Sequence, residues 1–90
     1  MKLTTTKQQT TSLLALGCQK PKRANYTIGE LFALIPNVYY LMQTQDTPKG
    51  DTEYVFLSLH QGKRFEAKSM ELVNALYGFV AQLYAEGITK

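Results

Sequence analysis

The chain reads as an α+β domain: two N-terminal helices, an antiparallel β-hairpin or three-stranded meander, and a long C-terminal helix packed on the sheet. Three observations predict it. From Ser69 to Gly87, Leu72, Ala75, Leu76, Phe79, Val80 and Leu83 recur at the three- and four-residue spacing of one helix face. The segments Asn37–Gln45 and Glu53–His60 are short, rich in Val, Tyr, Phe and Thr, and flank a turn-forming stretch. Upstream, two threonine-led capping patterns each precede an apolar run. Ninety residues make a single domain, 1–90, with residues 1–6 expected to fray. A chain of this size buries roughly 60–65% of its unfolded surface. With 44% hydrophobic residues, six tyrosines and four phenylalanines, it can build a core without disulfides or metal.

The first helix is predicted over Thr5–Leu16. Thr4, Thr5 and Thr6 offer side-chain oxygens to the free amides of a first turn, with Gln8 or Gln9 placed as in a capping box. Gly17 stands where a helix ends in a left-handed residue. Pro21 then disfavours helix at Lys20, so Cys18–Asn25 is an extended, exposed connection that holds Lys20, Lys22 and Arg23 in water.

Thr27 and Glu30 have capping-box spacing, and Tyr26 and Leu31 are placed for a hydrophobic staple, so a short helix over 28–35 follows, ended by Pro36. Asp46–Asp51 is turn-rich and joins the two predicted strands into an antiparallel hairpin. In the second strand Val55, Leu57 and Leu59 alternate with Tyr54, Phe56, Ser58 and His60. In the first, Val38, Tyr40 and Met42 alternate with Tyr39 and Leu41. One face belongs under the helices, and the other needs partial cover or a ligand. Gln61 and Gly62 turn the chain into a short third strand, Lys63–Ala67, before Ser69 caps the last helix. Between Glu71 and Glu86 that helix has no charge, so it is either nearly surrounded or shared with a partner.

The net charge of +3 is unevenly placed: residues 1–27 hold five basic residues and no acid, whereas residues 28–90 hold five basic and seven acidic. A basic end attracts phosphate or an acidic protein, which makes Lys20, Lys22 and Arg23 the candidate contact. The lone Cys18 forms no intramolecular disulfide and fits a reducing compartment. No secretory signal and no membrane span is expected, and the expected location is cytoplasmic.

Signals for catalysis are weak. His60 is the only imidazole, and one His and one Cys 42 positions apart do not supply a closed zinc site. Neither a GxxxxGK[ST] nor a GxGxxG pattern occurs, so no cofactor is expected. On the last helix, Asn74, Gly78, Ala81, Gln82 and Ala85 are small or uncharged at helical spacing. They form the candidate self-association face, simplest about a two-fold axis, unless the first helix of the same chain covers it. Two helices before a hairpin suggest a winged helix-turn-helix, but the 17–26 connection is too long and GELFALI lacks base-reading side chains.

The connection LG-x-x-KPK at Leu16–Lys22, the YTIGEL at Tyr26–Leu31 and the closing EL-x-x-ALY at Glu71–Tyr77 are similar to parts of small proteins from phages, prophages and mobile elements of Bacteroides-like gut bacteria. The resemblance implies a compact accessory domain and carries over no catalytic residue. The expected function is therefore a non-enzymatic interaction domain, a homodimer or the partner of another protein. The alternative is a small nucleic-acid-binding accessory protein.

Overall fold

The structure, a computed structural model, describes residues 2–90. Its elements run α1 (Lys7–Ala15), α2 (Ile28–Leu34), β1 (Tyr40–Asp46), β2 (Thr52–His60), β3 (Lys63–Ser69) and α3 (Leu72–Ala85). The strands form one antiparallel meander in the order β1-β2-β3. All three helices lie on one side of it. The shortest dimension of the Cα trace, 18 Å, has room for one helix layer on one sheet layer and nothing more.

Local chemistry sets most of the boundaries. Thr6 caps α1 in a capping box with Gln9, and Thr27 caps α2 in a second box with Glu30. The caps satisfy amides that the first helical turn leaves free. Gly17 and Gly87 end α1 and α3 with φ of +91° and +79°. Behind them the Cys18 amide donates to the Leu13 carbonyl and the Ile88 amide to the Leu83 carbonyl, the six-to-one bonds of a Schellman ending. The β1–β2 loop turns through Pro48 and Lys49 to Gly50 at φ +88°, with the Gly50 amide donating to the Thr47 carbonyl and the Thr47 amide to the Asp51 carbonyl.

Most boundaries move by one to three residues from the sequence-based expectation, α1 to Lys7–Ala15 from Thr5–Leu16 among them, and three of the shifts have a clear physical cause. The first strand starts at Tyr40 rather than Asn37, because Pro36 is buried beside the end of α2 and the chain turns there, with the Val38 amide donating to the Pro36 carbonyl. The third strand runs on to Ser69, which pairs with Tyr54 and so is not the helix cap. Glu71 occupies that position, and Ser69 Oγ instead accepts the Glu71 amide. The last helix consequently begins at Leu72.

The core lies between the sheet and α3. Val73, Ala75, Leu76, Phe79, Val80 and Leu83 of α3 meet Phe56 and Phe65 of the sheet and Leu13, Tyr26, Leu31 and Leu34 of the helical half. Phe56 stacks on Phe79 with ring centroids 5.6 Å apart, and Phe32 and Tyr40 close the aromatic group at 6.1 and 6.4 Å from Phe56. The sheet face that carries Tyr40, Tyr54 and Phe56 is thus the one under the helices, and the aliphatic face with Leu41, Leu57 and Leu59 is left open. α3 is surrounded within its own chain: only Ala85 is fully exposed along its length. Buried polar groups are paired as burial demands. Thr5 Oγ1 accepts the Tyr26 amide, Ser58 Oγ donates to the Tyr39 carbonyl at 2.6 Å, and Tyr84 Oη donates to the Leu34 carbonyl at 2.8 Å.

Candidate interaction surface

The hydrogen-bond alternation of an antiparallel ladder decides which backbone groups of β1 are free. In such a ladder, successive residues point their N–H and C=O alternately to the two sides of the strand. The Thr47 amide reaches Asp51 and Ser58 Oγ reaches the Tyr39 carbonyl, so the odd-numbered residues turn their backbone toward β2. Tyr40, Met42, Thr44 and Asp46 therefore aim their N–H and C=O away from the sheet. The backbone of β1 approaches no helix or strand but β2, and every residue of β1 is exposed.

The side chains around this edge are apolar. Tyr39 is 96% exposed, Leu59 70%, Leu41 64% and Met42 51%. On the open face Tyr39, Leu41, Leu57 and Leu59 line a shallow depression of about 300 Å³. Farther along that face the surface turns polar: Gln45 Nε2 donates to Glu53 at 2.7 Å, and Arg64 pairs with Glu66 at 3.0 Å. Between Tyr40 and Asp46 the aspartate is the only charge. An unpaired, nearly neutral strand edge beside large exposed apolar side chains is a surface that invites another polypeptide.

The self-association face expected on α3 is largely occupied within the chain. Asn74 Oδ1 accepts from Lys2 Nζ at 2.7 Å and from Gln9 Nε2 at 2.9 Å. A Cβ at Gly78 would stand in ordinary contact, 3.5 Å, with Ala67 Cβ, so this position faces β3 of its own chain. Ala81 packs on the core, and Gln82 Nε2 donates to the Glu66 carbonyl at 2.7 Å. Ala85 alone is left open. The small residues serve a helix lying against a strand of its own chain, and they do not form one free face.

Lys20, Lys22 and Arg23 are exposed, as their loop position implies. Lys20 and Lys22 border an open cleft of about 520 Å³, shared with Tyr26, Glu30 and Lys90. An acid already stands in it. Glu30 accepts the Lys22 amide at 2.9 Å and the Thr27 amide at 3.0 Å, and these bonds hold its carboxyl below the usual range. A phosphate entering here meets that carboxylate.

The two residues with nucleophilic or general-base chemistry are apart in the chain and in role. Cys18 is buried behind α1, and burial pushes its thiol up to about 11, so it stays protonated and a poor nucleophile at neutral pH. His60 ends β2, beside the turn to β3. Among the described residues no three His, Cys, Asp or Glu side chains gather as metal ligands, and no helix is long and apolar enough to cross a membrane.

Sequence reasoning singled out the hairpin but not its free edge. The signal available was the run YLMQTQ at Tyr40–Gln45, six residues of strand character without a charge. Compared with known proteins, the chain matches no family model, no curated protein and no solved structure.

Proposed function

We propose that the protein is a non-enzymatic interaction module that self-associates, and that the surface it uses is the β1 side of the sheet, not α3. The observation that carries this reading is β1 itself: exposed along its whole length, unpaired on one edge and flanked by Tyr39, Leu41 and Leu59 in water. A folded monomer leaves such an edge open at the risk of indiscriminate pairing, and a defined partner removes that risk. The buried, protonated Cys18 supports the non-enzymatic part of the reading. The setting is the accessory role that the resemblance to phage and mobile-element proteins implies.

Light scattering at tens of micromolar tests it. The expected mass is twice the 10.2 kDa of the chain, and a mass of 10.2 kDa at every concentration overturns the reading.

A second reading, nucleic-acid binding, draws support from Lys20, Lys22 and Arg23, none of which forms an ion pair among the described residues. Its signature is a complex with a short duplex that weakens steeply with salt and is lost when all three are changed to Ala.

A further inference from the structure

We propose that two copies join their β1 strands antiparallel about a two-fold axis through Gln43, making one six-stranded sheet. The inference rests on the self-association reading and specifies its geometry.

Backbone parity restricts how two β1 edges can meet. Only Tyr40, Met42, Thr44 and Asp46 offer outward N–H and C=O groups, so a ladder must set even-numbered residues opposite even-numbered ones. Among the registers this allows, one uses all four groups of each copy. Tyr40 then faces Asp46 of the second copy, Met42 faces Thr44, and Gln43 meets its own counterpart on the axis. Sliding by one step either way leaves an end residue of each strand without a partner.

Side-chain chemistry agrees with this register. The one charge of the strand, Asp46, stands opposite a tyrosine whose hydroxyl can donate to it, and no carboxylate meets a carboxylate. Met42 gains the Thr44 methyl, and the Gln43 amides can bond each other across the axis. Continued past Tyr40, the same register sets the bare Tyr39 ring beside Thr47 and Pro48 of the second copy. That is apolar cover for the most exposed large apolar side chain among the described residues.

The arrangement also closes. The opposite edge of the sheet is guarded, because Gln82 caps the Glu66 carbonyl and Lys63, Arg64 and Lys68 set charge along β3. Pairing through β1 alone therefore yields a dimer and not a fibre. Edge pairing of two seven-residue strands buries on the order of 1,000 Å², the size class of weak, reversible interfaces.

Single cysteines in a Cys18→Ala background test the register. At Gln43 the Cα atoms of the two copies stand about 4.5 Å apart, within disulfide reach, whereas at Gln45 they stand about 14 Å apart. Under mild oxidation Gln43→Cys is expected to cross-link the dimer and Gln45→Cys to leave it uncross-linked. Met42→Pro removes an amide that β2 does not use, so it should keep the circular dichroism of the parent and lose the doubled mass. A dimer that cross-links through Leu59→Cys and not Gln43→Cys packs by its open faces and overturns the register while leaving self-association standing. A dimer that cross-links at neither position overturns the register as well. A parent chain that stays monomeric overturns both proposals.

Discussion

The two edges of the sheet are built from strands of equal length and opposite character. β3 carries Lys63, Arg64, Glu66 and Lys68 in seven residues, has α3 packed along it, and hands its outward Glu66 carbonyl to Gln82. Lys63 adds an ion pair to Glu86 near the end of the helix. β1 carries one charge, has no helix along it, and leaves its outward carbonyls and amides in water. Charge and cover are two of the devices that keep a strand edge from pairing. One edge here has both and the other only Asp46 at its end, which teaches that the exposure of β1 does not follow from a shortage of means to cover a strand.

Substitutions on the two edges should separate accordingly. Phe65, 3% exposed, anchors β3 under α3, so Phe65→Ala is expected to cost about 3–5 kcal/mol in chemical denaturation. A loss below about 1 kcal/mol would mean that α3 does not hold that edge. Gly78→Leu forces a side chain against Ala67, and about 1–3 kcal/mol should be lost as the helix is pushed off the strand. Gln82→Ala frees one carbonyl and should lower stability by about 1 kcal/mol. If Gln82→Ala also raises the mass above that of a dimer, the Glu66 carbonyl is a gate on growth through β3. Leu41→Lys adds a charge inside β1, whose only charge is Asp46 at its end. Monomer stability should change by no more than about 0.5 kcal/mol, while the doubled mass in light scattering disappears.

Much of the fold was legible because its determinants are local. Thr27 and Glu30 announce α2 within four residues, and Gly17 and Gly87 close α1 and α3 at positions where the backbone turns left-handed. The face of α3 is written in its periodicity. What could not be read is which strand the helices leave bare, because that depends on how far α3 reaches across the sheet. The small residues of α3 illustrate the difficulty. Gly78 and Ala81 permit close approach, but a strand of the same chain and a helix of another chain leave the same mark in a sequence. Ser69 and Glu71 show a smaller version: both can start a helix, and pairing of Ser69 with Tyr54 decides between them.

The meander order also bears on how the chain folds. Each strand pairs with its neighbour in sequence, so the sheet closes only short loops, and hairpins of this kind form in microseconds. α3 follows β3 directly and packs on it at short range, as the bond from Gln82 to the Glu66 carbonyl sixteen residues away shows, whereas joining α2 takes contacts such as the bond from Tyr84 to Leu34 fifty residues away. The contacts that join the helical half to the sheet, such as Phe32 of α2 against Phe56, span the longer separations. Docking of α3 buries Phe65 and caps the Glu66 carbonyl close behind the meander in sequence, so the bare edge that the folded chain keeps is β1.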